Sequence, residues 1–445
     1  MQQGQKIVLV TAGTLGDVYP FISLAKALVL EGFDPIVATY PCHIDHVERA
    51  GIAAHPVGPD LPEILSSLGV GLDDFVDRMA ADRSFFPAKI VLPHLQANLD
   101  ALRTVIEGAA MVVTHVAAPA AVIAAQVYRV PHVTVLFSPF LALSAHDPPV
   151  IPPIPFLPVP QSRAAIMWNR IFISLFQHAL AHLARPVAQM RRELDLPGPT
   201  LDNFSIFGPK SGAVRVLGLY SPLLSDVQPD HPDGFEVVGS SNYDGPITGE
   251  LNSSLRAFLD EGDAPIIFTM GSLSLGGSPF HEICIKASRQ TGHRALLLVP
   301  DAEVAGLSNL IAPDVHIAGY IPHSLLLPHA RLIVHHGGIG TATQALRAGL
   351  PQLVVPHCND QFDNAARLER MGVAQSLPLK HFQTKRVAAA LEVLLATPEI
   401  ALRATELVEV IYREDGAAQA AKKIAEALLI ASEDCARHSA NTKLV

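Results

Sequence analysis

The stretch "VHHGGIGTATQALRAG" spans residues 334–349. Two adjacent histidines, His335 and His336, precede three glycines, Gly337, Gly338 and Gly340. Thr341 then opens a helical pattern that Gly349 closes. The preceding run, "RLIVHH", has the character of a strand, so the glycines fall where a strand ends and a helix begins. A helix N-terminus offers unpaired N–H groups and positive potential to an anion. Glycines let those amides approach a phosphate with no Cβ in the way, and Thr341 adds a hydroxyl donor. A metal suits the pair poorly, because neighbouring residues on a strand point to opposite faces. A glycine-rich turn carrying a satisfied histidine is the plain alternative, and the loop alone leaves it open.

The next apolar run, "PQLVVPH", ends on Asn359, Asp360 and Gln361 at the start of another helical pattern. Asn and Asp favour the helix N-cap, which is one reading. The other is that Asp360 and Gln361 hydrogen-bond sugar hydroxyls beside a phosphate cradle. A sugar linked to a diphosphate matches both strand ends. A third candidate is Asp17, at the carboxyl end of the first strand in "GTLGD". It is a helix cap or a general base. An aspartate is ionised at neutral pH and can take a hydroxyl proton without tuning. His115, on a later apolar strand, has the setting of a core histidine. The nucleotide-triphosphatase motif G-x-x-x-x-G-K is absent, and "AGTLGD" is not G-x-G-x-x-G.

These residues need elements to hold them. The chain has 445 residues, 49% hydrophobic and 17% charged, enough for two domains with substantial cores. A net charge of −10, without a basic patch of the kind that grips a phosphate backbone, argues against nucleic acid as a partner. The four cysteines are scattered and form no C-x-x-C, which suits a reducing cytoplasm. The first residues lack the pattern of a signal peptide. The nearly uncharged tract 111–146 is broken by Pro119, Pro131 and Pro139 and is expected to be strand, helix, strand, not a membrane span.

Strands and helices alternate from residue 6 to about 139, as in a doubly wound parallel sheet. A proline-dense loop follows at 146–161, then a helical region at roughly 163–195 carrying Trp168 and Phe172. The alternation restarts after "SNYDGPITGE", residues 241–250. The expected domains are therefore 1–240 and 241–445, with a polar tail after about 432 that frays.

The segment 319–361 resembles the nucleotide-sugar signature of family 1 glycosyltransferases, "GTLGDVYPFISLAKAL" (13–28) their N-terminal motif, and "FTMGSLS" (268–274) a loop of their second domain. "SPFLALSAHDPPV" (138–150) and "DQFDNAARLERMG" (360–372) are similar to bacterial rhamnosyltransferases that make rhamnolipids. The resemblance also extends to sterol- and macrolide-type glucosyltransferases. It implies an α/β chain with the GT-B fold, two facing Rossmann-like domains about a cleft. It also implies an inverting, metal-independent transfer from a nucleoside-diphosphate sugar, with no cofactor. His336, Gly337, Gly338, Gly340, Thr341, Gly271 and Ser272 would bind the diphosphate. Tyr320, Ile321, His323 and Gln344 would meet the base and ribose, Asp360 and Gln361 the sugar, and Asp17 would be the base.

The acceptor is expected to be a hydroxylated lipophile touching Leu15, Phe137, Ser138, His146, Trp168 and Phe172. A hydroxyfatty-acyl lipid with dTDP-rhamnose is the sharpest version. UDP-glucose with a sterol-like or polyketide-like acceptor is the rival, and a GT-B-fold epimerase a further alternative. Arg163, Arg170, Arg185, Arg191 and Arg192 point to an anionic acceptor, a solvated helix face, or peripheral association with the inner membrane surface. No obligate protein partner is evident.

Overall fold

The computed structural model describes residues 4–82, 84–150, 157, 159–196, 213–246, 251–271 and 277–442. Short, mostly apolar runs form two wholly parallel sheets. The first comprises β1 (Lys6–Val10), β2 (Asp34–Thr39), β3 (Ala53–Pro56), β4 (Met111–His115), β5 (His132–Leu136), β6 (Arg215–Gly218) and β7 (Phe235–Val237). Their order is β3-β2-β1-β4-β5-β6-β7. The second comprises β8 (Ile266–Thr269), β9 (Ala295–Leu298), β10 (Val315–Ala318), β11 (Leu332–His335), β12 (Gln352–Val354) and β13 (Ala374–Ser376), in the order β10-β9-β8-β11-β12-β13. β4 and β5 are buried at every residue, because helices cover both faces of a parallel sheet. The neutral tract 111–146 thus contains β4, the helix Pro119–Val127 and β5. β3 and β13, at sheet edges, go unrecognised in the sequence. They are four and three residues long and contain no valine, isoleucine or aromatic residue.

In each sheet the strand order reverses once. β1 and β4 are neighbours whose connections leave in opposite directions, as are β8 and β11. Ligands bind at such switch points, at the carboxyl ends of the strands. The loops following β1, β4, β8 and β11 all open onto one cleft of about 1030 Å³.

The long helix Gly416–Thr442 lies last in sequence yet packs on the helix Leu15–Leu30 of the first sheet. Ala417, Ala420, Ala421, Ile424 and Leu428 join the core built by Val18, Phe21 and Leu28. It remains helical to Thr442, past Ser432, where fraying is expected. Its start lies close against the two residues that precede the linker. Gly416 N–H donates to Ser240 O at 3.0 Å, and a Cβ on Gly416 would lie 2.2 Å from Gly239 O. The two sheets are also fastened by charge. Asp147 of the first half and Asp363 of the second both bond the guanidinium of Arg367, which is 2% exposed. Asp363 also accepts from Val150 N–H at 3.0 Å.

Candidate active site

Asp17 stands in the first turn of the helix Leu15–Leu30, capped by Thr14. Its Oδ2 accepts from Thr14 N at 2.8 Å and Thr14 Oγ1 at 3.3 Å, closing a capping box. The cap reading is therefore true of its geometry. It is not complete, because Asp17 also lines the cleft. Burial lifts its pKa from 3.8 to about 6, and the negative charge of Asp360 adds to the rise. Gly13 sets up this turn with φ +136°, and a Cβ there would lie 2.2 Å from Asp17 Oδ2. His115 is 6% exposed and stacks on Phe137 with ring centres 4.5 Å apart. Burial lowers its pKa to about 3, so it is neutral.

On the opposite sheet, the helix that follows β11 begins at Ile339, with Gly338 as its N-cap, two residues earlier than the sequence pattern suggests. Its first intrahelical bond is donated by Ala342 to Gly338 O. The N–H groups of Ile339, Gly340 and Thr341 therefore belong to the unpaired first turn, and all three residues line the cleft. His336 lines it too, with Nδ1 unpartnered. Burial, and then the neighbouring His323, lower its pKa to about 4. It is a neutral N–H donor at pH 7. Gly271 approaches it closely, at φ +86°, where a Cβ would be 2.7 Å from His336 Cε1. Ser272 lies outside the described residues.

One residue of this loop departs from expectation. Gly337 is absent from the lining. A Cβ there would meet Val354 Cγ1 at 2.9 Å and Gln361 O at 3.1 Å, so its glycine serves packing, with φ +93°. His335 faces inward and fixes the loop. It is fully buried, bonds Gln352 Oε1 through Nε2 at 2.9 Å, and accepts from Gly337 N–H at 3.2 Å. That acceptor role assigns Nδ1 as the unprotonated nitrogen.

Asp360 occupies the N-cap of the helix Gln361–Arg370 but makes no capping bond. It instead accepts from Asn364 Nδ2 at 2.9 Å. Burial lifts its pKa to about 6. Gln361 Oε1 accepts from His357 N and Cys358 N at 2.8 and 3.1 Å, which leaves its amide nitrogen for a ligand. Sequence reading passes over Asn364. It also donates to Gly337 O at 3.0 Å and receives Ser138 Oγ at 3.2 Å from the other sheet. Its i+4 spacing from Asp360 on one helix face is the available signal.

Tyr320, Ile321, His323 and Gln344 line one end of the cleft. The linker reaches them there. Tyr320 OH donates to Asp244 O, and Gln344 Nε2 to Asn242 O at 3.1 Å. Thr341 Oγ1 lies 3.5 Å from His323 Nε2. At the other end, Leu15, Phe137 and Ser138 line the cleft. His146, Trp168 and Phe172 do not. The helix Arg163–Leu180 turns Phe176 to the cleft and holds Trp168 58% exposed to solvent. The remaining apolar wall comes from a region the sequence reading does not single out: Leu61 on the helix Leu61–Ser67, Phe75 and Met79 on the helix Leu72–Ala81, and Phe86 and Val91 on the π-helical segment Phe86–Val91. Among the described residues, no three His, Cys, Asp or Glu side chains are grouped as a metal site requires.

Residues 288–428 match the erythromycin biosynthesis protein CIII-like C-terminal domain. The chain is 28% identical to an uncharacterized glycosyltransferase of Mycobacterium leprae, over 95% of this chain and 96% of that one. It is 28% identical to a vancomycin aglycone glucosyltransferase of Amycolatopsis orientalis, over 95% and 98%. A sterol 3-beta-glucosyltransferase of Neosartorya fischeri is 25% identical over 94% of this chain, which spans 29% of that longer protein. The crystal structure of the kitacinnamycin glycotransferase superimposes with a TM-score of 0.72 at 20% identity, covering 96% of this chain and all of the other. That of glycosyltransferase VinC, in complex with dTDP, gives 0.67 at 19% identity, with coverage of 96% and 100%.

Proposed function

We propose that this chain acts as a family 1 glycosyltransferase of the GT-B fold and moves a sugar from a nucleoside diphosphate to a hydroxyl of a lipophilic acceptor, with inversion. One observation carries the reading. Asp17 and the helix N-terminus with His336 face one cleft from opposite sheets, and Asp360 lies close enough to Asp17 to raise its pKa.

In the proposed reaction the acceptor oxygen forms a bond to the anomeric carbon while its proton passes to the Asp17 carboxylate. The bond from that carbon to the diphosphate breaks, and its electron pair leaves with the phosphate oxygen. The N–H groups of Ile339, Gly340 and Thr341, with the neutral His336 donor, meet that growing charge. Donors fixed in place before the charge develops need no reorganisation at the moment of reaction, which is why they stabilise it strongly. Base and leaving group occupy opposite sides, which is what a single displacement needs. No metal takes part in this proposal.

The acceptor wall is apolar, built from Phe75, Met79, Phe86, Phe137 and Phe140. It fits a hydroxyfatty-acyl chain, with dTDP-rhamnose as donor, as the first version. The named activities of the vancomycin and sterol relatives favour the second, glucosylation of a sterol-like or polyketide-like acceptor. The test is turnover with dTDP-rhamnose and UDP-glucose against both acceptor classes, read by mass spectrometry and by the anomeric coupling of the product. Retention of configuration, or turnover abolished by EDTA and restored by Mg²⁺, overturns the mechanism. Conversion of the donor with no acceptor present supports an epimerase instead.

A further inference from the structure

The helix Arg163–Leu180 is two-faced in an unusual sense. Its inner face carries Asn169, fully buried with Nδ2 donating to Ala145 O at 3.0 Å, and Phe176 at the cleft wall. Its outer face is also apolar. Met167, Trp168, Ile171 and Leu175 are 62, 58, 51 and 63% exposed. At 3.6 residues per turn these four fall within an arc of about 100°. Isolated exposed apolar residues need no explanation, but a contiguous stripe rimmed by charge marks an interaction surface.

The rim has one sign. The helix Arg163–Leu180 contains Arg163 and Arg170 and no aspartate or glutamate, in a chain whose net charge is −10, and the next helix, Arg185–Glu193, adds Arg185, Arg191 and Arg192 before its single acidic residue Glu193. Arg163, Arg170, Arg185 and Arg192 are exposed. Arg163 and Arg170 are seven residues apart and so flank the stripe on one side. An apolar stripe bordered by arginines is the composition of a helix that lies in a lipid–water interface and prefers anionic headgroups. Among the described residues, no helix is long and apolar enough to cross a membrane.

We propose that the outer face of the helix Arg163–Leu180 docks on an anionic lipid surface. Met167, Trp168, Ile171 and Leu175 enter the acyl boundary, and Arg163 and Arg170 meet the headgroup phosphates. The same helix then holds Phe176 at the apolar wall of the cleft, so docking brings the acceptor end of the cleft to the membrane. The surface is independent of which sugar or acceptor the enzyme uses, because lipid binding is read without either.

Trp168 is the sole tryptophan and reports directly on its own position. Vesicles containing phosphatidylglycerol should shift its emission to the blue, and brominated acyl chains should quench it. Vesicles of phosphatidylcholine alone should do so weakly. The double variant Arg163→Ala, Arg170→Ala should lower the partition coefficient about 25-fold, from about fivefold per arginine near a charged surface. The variant Ile171→Ser, Leu175→Ser should weaken it further while its thermal midpoint stays put, since both side chains face solvent. Emission unmoved by anionic vesicles overturns the proposal. So does equal binding to both vesicle types. So does a blue shift that follows protein concentration without lipid, which assigns the stripe to a second copy of the chain.

Discussion

Replacing Asp17 with Asn should lower turnover and raise stability together. Burial holds the Asp17 carboxyl at about 6 against 3.8 in the unfolded chain. A raised folded-state pKa means that the native fold binds the proton more tightly. Stability is therefore gained as pH falls from about 6 toward 3.8, and the full penalty of the buried carboxylate is present above 6. At about 1.36 kcal/mol per pKa unit, that penalty is on the order of 3 kcal/mol. Asn removes the charge and keeps an oxygen for Thr14 N–H, now bonded at 2.8 Å.

Unfolding entropy near 2.1 cal/mol/K per residue makes each kcal/mol worth roughly 1 °C in a chain of this length. The variant should thus melt about 2–3 °C higher at pH 8, and level with the wild type below about pH 4. Its kcat should fall roughly 10²–10⁴-fold as a general base is lost. A residue that served only the capping box would keep its turnover, because the Asn oxygen still accepts from Thr14 N–H. Scanning calorimetry at both pH values and steady-state kinetics with saturating acceptor separate the two. A lower melting point at pH 8 refutes the penalty of the buried carboxylate, and more than half of the wild-type kcat refutes the base assignment.

Turnover of the wild type should fall with acidity on a limb near pH 6, since Asp17 as the proposed base acts only when ionised. That predicts about a tenfold lower rate at pH 5 than at pH 7, where an ordinary carboxylate would lose almost nothing. In Asp360→Asn the limb should move to lower pH, because one of the charges raising Asp17 is gone; a limb that stays or rises contradicts the coupling. Asp360→Ala should weaken the sugar nucleotide by about 1–3 kcal/mol and spare the free nucleoside diphosphate, as calorimetry would show. Equal losses for both ligands would return Asp360 to a structural role. Two glycine substitutions should divide the machinery. Gly13→Ala crowds Asp17 Oδ2 and should lower kcat with donor affinity retained, whereas Gly271→Ala crowds His336 and should weaken the nucleoside diphosphate itself. The reverse pattern would place the two loops wrongly.

Local sequence determined the parts whose physics is local. Short β-branched runs such as "KIVLV" and "HVTVL" are strands wherever both sheet faces are covered, and glycines at a strand end followed by helical spacing make an anion-ready turn. Asp17, His336 and Asp360 stand at the carboxyl ends of strands for that reason, and all three line the cleft. What a side chain meets from a distant segment was not written locally. Gly337 needs its glycine because Val354 and Gln361 press on it, and Asn364 joins Asp360 to Ser138 across 226 positions of sequence. The final helix completes a core begun some 400 residues earlier, because its alanines fit against Phe21 and Leu28. Trp168 has the composition of an acceptor wall. Only the rotation of its helix, set by the burial of Asn169 and the turn of Phe176 toward the cleft, points it outward. Periodicity tells which residues share a face, but which face the rest of the molecule covers is decided by packing.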